Sequence, residues 1–314
     1  MEPLSPRVIA VITTYRRPEP LRRLLASLGA AAAPAVGGVV VVDNAAEVET
    51  ARVAQASPIP VTYCPQPVNL GHGAGHAVGI TVALEDLAAT HLWLLDDDAV
   101  TLPTTLAELL AGLQATGAAA VVPLITNAEG TVAWYPGLQN RSKWRVILQP
   151  NLTPEEFRRQ CGDEPVPFTW TPWGMLLLTR RVVEEIGLPR TDFGFSSDDI
   201  EYALRLTAGH LAVLVPRAVG QHLPPGRKKE MEAYYIQCLD LQNLSYVTLR
   251  LRHGRPALRH LPGHYWRFFR RWGWNGRNLA RAWRAGWRGA LAGRPAGAAG
   301  WDEFRRDWQE ARAR

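Results

Sequence analysis

The sequence predicts an α/β fold in which a mostly parallel sheet presents ligand-binding residues at the ends of its strands. Apolar runs at residues 8–14 and 38–44 are separated by a helical repeat, an order typical of parallel sheets. A third run, residues 91–95, ends abruptly in Asp96, Asp97 and Asp98. Because open α/β sheets bind ligands beyond the carboxyl ends of their strands, this acidic end is the predicted centre of the site.

The first elements follow from hydrophobic spacing. After the strand at 8–14, leucines recur at the intervals of an amphipathic helix: Leu21, Leu24, Leu25 and Leu28. A second strand at 38–44 and a weaker third strand at 61–64 come next. A right-handed crossover between the first two strands would bring Thr13 and Asp43 to the same edge of the sheet.

A glycine-rich stretch at 69–76 is predicted to be a loop in front of a helix. Glycines there let the backbone approach a phosphate, and the helix amino terminus supplies N–H groups. The stretch has neither the lysine of a P-loop nor the glycine spacing of a dinucleotide site, so an ordinary loop is the competing interpretation.

The acidic triplet is the strongest candidate for a metal site. Three adjacent carboxylates repel one another and cannot all be buried without compensation. A divalent cation supplies that compensation, and oxygen ligands suit Mg²⁺ or Mn²⁺. In an extended segment side chains alternate, so Asp96 and Asp98 would share one ion while Asp97 points elsewhere. A solvated acidic turn is the alternative, and the buried strand before the triplet favours the metal.

The middle of the chain continues the pattern with one interruption. The predicted elements are a helix at 106–113, a strand at 118–124, an irregular segment at 126–167 that covers the site, a strand at 175–178, and a helix at 181–186.

A second polar focus follows at residues 193–206. Ser196 or Ser197 can cap a helix that opens with Asp198 and Asp199. Negative charge at a helix amino terminus would explain the two aspartates without any catalytic role. A strand at 210–216 precedes His222, which we place in the loop beyond it.

Bulk properties limit the class of protein. A chain of 314 residues can bury a sizeable core as one large domain or two modest ones. Three scattered cysteines, Cys64, Cys161 and Cys238, form neither a disulfide framework nor a zinc site, which fits a reducing compartment. No apolar run reaches the roughly 18 residues that a membrane span needs, and the amino terminus has no signal core. These features predict a cytoplasmic protein.

Charge is distributed unevenly along the chain. Residues 250–314 hold sixteen arginines against four acidic residues, a net of +12, which leaves about −6 for the rest of a chain whose total is +6. The tail is also rich in aromatic residues: Tyr265, Trp266, Phe268, Phe269, Trp272, Trp274, Trp283, Trp287, Trp301 and Trp308. A basic tail therefore follows a mildly acidic body.

The tail has three interpretations. Arg277, Arg281, Arg284 and Arg288 fall on one helical face, beside a face that carries tryptophan, as in helices that lie in a membrane interface. Alternatively, the aromatics pack on the α/β domain and the arginines are solvated. Basic residues among aromatics also suit single-stranded nucleic acid, the least favoured of the three.

In order along residues 7–225, the motifs resemble those of the family 2 (fold-type A) inverting glycosyltransferases, especially the galactofuranosyl- and rhamnosyltransferase-like branch. The matching stretches are residues 12–17, 41–44 and 69–71, the triplet 96–98, residues 173–174 and 198–202, and His222. Two departures from the family pattern are the histidines His72 and His76 in the glycine stretch and the Ser196–Ser197 pair.

The resemblance implies roles for individual residues. Asp96 and Asp98 would bind Mg²⁺ or Mn²⁺ with His222 as a third ligand, and Asp199, or else Asp198, would be the general base. The residues implied to bind the nucleotide-sugar are Thr13, Tyr15, Arg17, Asp43, Asn69, Gly71, Asp97 and Trp173. Within this set, Asp43 would lie near the base, Asn69 and Gly71 by the ribose and diphosphate, and Trp173 at the sugar or acceptor pocket.

The resemblance also implies a function and a division of the chain. Residues 1–225 would be a catalytic domain that moves a sugar from a UDP or dTDP donor, galactofuranose or rhamnose, to a glycan or polyprenyl-linked acceptor. Residues 226–314 would be a helical region that contacts the acceptor or an anionic membrane, at the inner face of the cell membrane. A nucleotidyltransferase and a non-catalytic adaptor on a degenerate fold remain as alternatives.

Overall fold

The computed structural model describes residues 6–31, 36–134, 136–138, 151–193, 196–223 and 230–291. The chain divides into two compact units. The first unit comprises Met1–Asn69, Gly75–Leu188 and Leu206–Pro225, and the second comprises Leu70–Ala74, Pro189–Arg205 and Gly226–Arg314. The second unit thus takes two short segments from the region before residue 225, and a domain boundary there stays a prediction. Trp301 and Trp308 of the predicted tail lie outside the described residues.

The first unit contains the strands. They are β1 (Val8–Thr14), β2 (Gly38–Asp43), β3 (Val61–Pro65), β4 (His91–Asp96), β5 (Ala99–Thr101), β6 (Ala120–Thr126), β7 (Val132–Trp134), β8 (Val166–Pro167), β9 (Met175–Thr179) and β10 (Ala212–His222). Within the described residues they form one sheet in the order β3-β2-β1-β4-β9-β6-β10-β5, with β7 beside β6 and β8 beside β10.

The sheet is mixed, and most of its paired length is parallel. Strands β1, β2, β3 and β4 pair in parallel with one another, as do β6 and β10. Strand β9 lies antiparallel between β4 and β6 and joins these two parallel groups. Every residue of β1, β2 and β6 is buried, as expected for strands covered on both faces. The α/β fold predicted from the apolar runs is confirmed.

The helices occur in chain order through both units. They are α1 (Pro18–Gly29), α2 (Val48–Gln55), α3 (His72–Glu85), α4 (Thr105–Thr116), α5 (Pro154–Cys161), α6 (Arg180–Ile186), α7 (Asp198–Thr207), α8 (Glu230–Arg250), α9 (Leu261–Trp272) and α10 (Gly276–Gly286). A 3₁₀ helix at Arg252–His260 precedes α9, and a π turn at Trp287–Leu291 follows α10. No helix in the described ranges is both long and apolar enough to cross a bilayer.

Each unit has its own apolar core. In the first unit, the four predicted leucines of α1 are buried in the same core cluster as Val39 and Val41 of β2. In the second unit the core is small and aromatic, and consists of Tyr234, Leu241, Phe268, Phe269, Ala282 and Ala285. Large side chains from α8 and α9 thus meet alanines from α10.

After β4, Asp97 and Asp98 form a turn, β5 follows, and α4 begins at Thr105, in agreement with the helix predicted at 106–113. Two local predictions need correction. The alternation argument for the triplet assumed an extended backbone and therefore does not apply to Asp98. His222 is the last residue of β10 and does not lie in a loop beyond the strand.

The segment at 126–167 is more regular than its sequence pattern indicated. It holds β7, β8 and α5, and α5 opens with a capping box in which Thr153 and Glu156 satisfy each other's backbone N–H groups. Residues 135 and 139–150 lie outside the described ranges. The proposed role of this segment as a cover for the site stays a prediction.

Candidate active site

Strand register brings the polar ends of three strands together. Thr13 of β1 pairs with Asp96 of β4, and Thr14 pairs with Asp43 of β2. These are the carboxyl ends of parallel strands, so their side chains meet at one edge of the sheet. The crossover argument from sequence predicted this edge correctly for Thr13 and Asp43.

A group of three potential metal ligands lies at this edge. One ligand atom from each of Asp96, Asp98 and His222 falls within 4.8 Å of the others. The imidazole Nε2 of His222 is 3.0 Å from Oδ1 of Asp98 and 4.0 Å from Oδ2 of Asp96. The three residues proposed from the sequence as ligands are therefore brought together.

The backbone around Asp98 explains why a histidine from a distant strand reaches it. β10 runs antiparallel to β5 in a register that sets His222 opposite Ala99. The next residue, Leu223, donates its backbone N–H to the carbonyl oxygen of Asp98 at 2.9 Å. The turn at Asp97 and Asp98 and the short strand after it therefore build the ligand group.

Arg17 binds two of the three aspartates. Its guanidinium lies 2.7 Å from Oδ1 of Asp97 and 2.6 Å from Oδ2 of Asp98. Burial opposes ionisation of Asp98, but hydrogen bonds and positive charge from His222 and Arg17 outweigh it and lower the pKa of Asp98. Burial also opposes the charge on His222, while the two carboxylates beside it raise its pKa.

Asp97 differs from its neighbours. Its carboxylate is buried and accepts a hydrogen bond of 2.7 Å from the hydroxyl of Thr14. Burial raises the pKa of Asp97 to about 7, against the opposing effects of Arg17 and Thr14. The structure therefore places this predicted nucleotide-sugar residue inside the protein, where it supports Arg17 and Thr14.

Asp43 is also fully enclosed. Its carboxylate accepts hydrogen bonds from the backbone N–H groups of Ala45 and Glu47 at 2.9 and 2.8 Å, and from the hydroxyl of Tyr63 at 2.7 Å. These contacts fix the turn that leads from β2 to α2. The predicted contact of Asp43 with the nucleotide base stays a prediction, and its observed bonds shape the loop at this edge.

Thr13, His76 and Trp173 contact one another in a buried row. The hydroxyl of Thr13 is 3.1 Å from Nδ1 of His76, whose ring meets the edge of Trp173 with centroids 4.9 Å apart. Trp173 has 1% of its surface exposed, so in this structure it acts on the site by packing on His76. Sequence reasoning noticed His76 only as a departure from the family pattern.

The glycine stretch is mostly helix and only partly loop. Gly71 has a φ of +87°, which favours glycine, and α3 begins at the next residue. A Cβ atom at Gly75 would come within 2.5 Å of Thr13, so this glycine allows α3 to lie directly on β1. At least one of the glycines therefore serves helix–sheet packing.

Two further predicted nucleotide-sugar residues, Tyr15 and Asn69, lie in the segments that follow β1 and precede α3. Asn69 is exposed just before Gly71, and the guanidinium of Arg16 lies over the ring of Tyr15, 5.2 Å from its centroid. Their contacts with a donor stay predictions.

The second unit holds the other acidic pair. Asp198 is 3% exposed, and its Oδ2 lies 2.9 Å from Nδ1 of His72. Asp199 is half-buried, and its Oδ1 accepts the backbone N–H of Ile200 at 2.7 Å. Of the two candidates for the general base, Asp199 is thus the more accessible and Asp198 is held by a histidine.

An unusual turn precedes these aspartates. Ser196 and Ser197 have φ values of 70° and 63°, a left-handed conformation that costs an ordinary residue roughly 1–2 kcal/mol. Both hydroxyls donate to Oδ1 of Asp240, at 2.8 and 3.0 Å, and Asn243 donates to the carbonyl of Ser196 at 2.8 Å. Residues of α8 therefore hold the turn that delivers Asp198 and Asp199.

Sequence reasoning missed Asp240, a half-buried acid of the second unit, and gave no role to Glu201, a buried acid in the matched stretch 198–202. Burial opposes the ionisation of Asp240, but His264 and the two serines outweigh it and lower its pKa. Glu201 pairs with Arg205 at 3.0 Å and His253 at 2.9 Å. Asp240 belongs to no recognisable motif, because its partners Ser196, Ser197 and His264 lie elsewhere along the chain.

The sequence matches the family described as Glycosyltransferase like family 2 over residues 6–240, well over half of the chain. Galactofuranosyltransferase GlfT1 from Mycobacterium tuberculosis (strain ATCC 25618 / H37Rv) is 28% identical over 206 residues. That alignment covers 65% of this chain and 65% of the relative's own length.

Solved structures share the fold at low sequence identity. S. aureus TarS 1-349 in complex with UDP has a TM-score of 0.58 at 12% identity, covering 89% of this chain and 80% of that one. Mannosyltransferase PcManGT from Pyrobaculum calidifontis in complex with GDP-Man and Mn²⁺ has a TM-score of 0.53 at 18% identity, covering 89% and 74%. These likenesses establish the α/β fold with its helical carboxyl-terminal region.

Proposed function

Because the chain belongs to glycosyltransferase family 2, we propose that it transfers a sugar, with inversion, from a nucleotide donor to a glycan or lipid-linked glycan. Family membership makes the chain a glycosyltransferase acting with a nucleotide-sugar. This sets aside the nucleotidyltransferase and the adaptor that the sequence left open. The sugar, the acceptor and the roles of individual residues belong to the proposal.

The convergence of Asp96, Asp98 and His222 carries the proposal. Two carboxylate oxygens and one imidazole nitrogen within 4.8 Å of one another can share a single ion. Carboxylates suit Mg²⁺ and Mn²⁺, and an imidazole is a ligand that transition metals take readily, so the donor set fits Mn²⁺ better than Mg²⁺. The presence of Mn²⁺ in the structure of PcManGT supports the same choice.

The residues at this edge would contribute to the reaction by balancing negative charge. A divalent ion held here would neutralise the negative charge that develops on the departing diphosphate. Asp96, Asp98 and His222 would hold the ion, while Arg17 fixes the carboxylates of Asp97 and Asp98. Arg17 is one-third exposed, so its guanidinium also offers charge to a phosphate oxygen.

Asp199 is the proposed general base. Inversion needs a single in-line attack, so one group must accept the proton of the acceptor hydroxyl. Asp199 is more exposed than Asp198, whose carboxylate is buried and lies beside His72. The turn at Ser196 and Ser197 would fix the direction from which the Asp199 carboxylate meets the acceptor.

The galactofuranosyl donor is the favoured candidate. The relatives found among known proteins are galactofuranosyltransferases, so we place a galactofuranosyl donor on UDP ahead of a rhamnosyl donor on dTDP. A lipid-linked or polysaccharide acceptor and residence at the inner face of the cell membrane stay predictions.

A thermal-shift screen tests the donor site. The protein is heated with UDP, dTDP and GDP, each with Mn²⁺ and with a chelator. We expect UDP to raise the melting temperature only with Mn²⁺, and Asp98→Ala to remove that rise because it deletes a central ligand. Glu129→Ala, which changes an exposed carboxylate outside the ligand group, is the matched control. An unchanged metal-dependent rise in Asp98→Ala would refute the metal site.

A further inference from the structure

The helical part of the second unit divides its aromatic residues into two sets. Tyr234, Phe268 and Phe269 are buried in the core of the unit, and the indole N–H of Trp272 donates to Gln237. The other set is exposed and comprises Trp266, Trp274, Trp283 and Trp287. Trp283 has 74% of its surface exposed and Trp274 has 62%.

The exposed tryptophans belong to two apolar patches. The first, the tryptophan pair, is Trp266 and Trp274, whose ring centroids are 6.2 Å apart, with Trp274 stacked on Phe269 at 4.1 Å. The second, the apolar stripe, runs along α10 and the π turn at intervals of four residues: Leu279, Trp283, Trp287 and Leu291. All four residues of the stripe are exposed.

Helix α10 has its small residues inside and its large residues outside. Ala282 and Ala285 face the core of the second unit, while Leu279 and Trp283 face away from it. A helix that only had to pack within its own unit would gain more by burying the tryptophan, since burial of an indole removes roughly 150–250 Å² from water. The outward face therefore points to an external apolar partner.

The charge around these patches limits that partner. Between Asp240 and Asp302 the sequence holds twelve arginines and neither aspartate nor glutamate. Arg267, Arg277 and Arg284 are exposed beside the patches. So basic a surface repels a second copy of itself, and it attracts a polyanionic one.

An anionic lipid bilayer meets both requirements at once. Its anionic headgroups attract the arginines. Its interface favours tryptophan, because the side chain has an apolar ring and a polar N–H. Single-stranded nucleic acid would also take arginine, but it offers bases for stacking and nothing for Leu279 and Leu291 at either end of the stripe.

We infer that the second unit binds the surface of an anionic lipid bilayer through the tryptophan pair and the apolar stripe, with the flanking arginines on the headgroups. This inference does not require the proposed transfer reaction. The described helices would lie on the bilayer, since none of them is long and apolar enough to cross it.

The test is sedimentation of the full chain with vesicles, with and without equal parts phosphatidylglycerol in phosphatidylcholine. We expect binding to the anionic vesicles, loss of binding at high salt, and a blue shift of tryptophan emission on binding. The double variant Trp283→Ala/Trp287→Ala should lose most of the binding. Its control, Val68→Ala/Leu211→Ala, removes exposed apolar residues of the first unit and should bind as the wild type does.

The charge contribution has a matched pair of variants. Arg277→Gln/Arg284→Gln should weaken binding to anionic vesicles by about fivefold per arginine. Arg52→Gln/Arg181→Gln changes net charge equally at exposed positions of the first unit and should have little effect. Equal binding to neutral vesicles, or no loss in the tryptophan variant, would overturn the inference. Binding to oligothymidylate but not to vesicles would identify the surface as a nucleic-acid site instead.

Discussion

The two acidic clusters of this chain look alike in the sequence, yet the structure holds them by different means. Asp97 and Asp98 in the first unit are matched by cationic groups, the Arg17 guanidinium and the His222 imidazole. In the second unit Asp198 also lies beside a histidine, His72, but the turn before Asp198 and Asp199 is held through serine hydroxyls by a third carboxylate, Asp240.

The difference separates two tasks that acidic residues perform. A carboxylate paired with cationic groups can exchange such a partner for a metal ion, which suits Asp98 to the proposed ligand group, while the buried Asp97 supports Arg17. Carboxylates fixed through a strained backbone turn are suited to presenting one oxygen in one direction, which is what a base requires. Four predictions test this distinction.

The largest effect is expected for Asp199→Asn. The substitution keeps the shape of the side chain but removes its ability to accept a proton, so turnover should fall by about a thousandfold. Metal-dependent binding of the nucleotide, measured by calorimetry, should stay unchanged because those ligands lie in the other cluster. Asp198→Asn is the companion variant: if it abolishes turnover while Asp199→Asn retains it, the base is Asp198.

A smaller effect is expected for Asp240→Ala. Loss of hydrogen bonds to a charged acceptor should lower the free energy of unfolding by about 2 kcal/mol, measured by denaturant titration. Replacing Ser196 and Ser197 with glycine in the same variant should restore part of that loss, since glycine adopts a positive φ without penalty. Failure of the glycines to restore stability would show that Asp240 does not act through the turn.

The contribution of Asp240 also depends on pH. Its pKa is lowered in the folded protein from an ordinary value of 3.8, so its stabilisation is complete above that value. The stabilisation is lost as the pH falls through the lowered folded value. The difference in stability between wild type and Asp240→Ala should therefore shrink in strong acid.

The smallest effect is expected for Arg17→Gln. Arg17 is one-third exposed and partly screened by solvent, so its loss should lower the free energy of unfolding by about 1 kcal/mol without metal. Mn²⁺ should then raise the melting temperature more than in the wild type, because the ion restores the missing positive charge. Arg16→Gln at the exposed neighbouring position is the control. An equal response to Mn²⁺ in both variants would argue against a shared role of Arg17 and the metal.

The local pattern of apolar residues allowed much of the fold to be predicted. Strands such as Val8–Thr14 are continuous apolar runs, and their parallel order followed from the helix between them. Helix α2 was not predicted. Its buried face holds only Thr50, Val53 and Ala54. Small residues give a weak hydrophobic period, which explains the omission.

Only part of the candidate site could be predicted from the sequence. The triplet and Asp198–Asp199 stand out because adjacent carboxylates are unusual, and His222 was found through the family resemblance. The pairing of His72 with Asp198 joins residues 126 positions apart, and that of Asp240 with Ser196 joins residues 44 apart. Hydrophobic periodicity in the sequence does not predict such contacts, because they depend on how separate elements pack.

The close approach of α3 to β1 has a consequence for how this protein can vary. A methyl group at position 75 would collide with the side chain of Thr13, so neither residue can be enlarged unless the other is reduced. Thr13 also contacts His76, so the sizes of the side chains at positions 13, 75 and 76 depend on one another. Substitutions at residues 13, 75 and 76 should therefore arise together in diverging sequences, as a compensating set that leaves the helix in place.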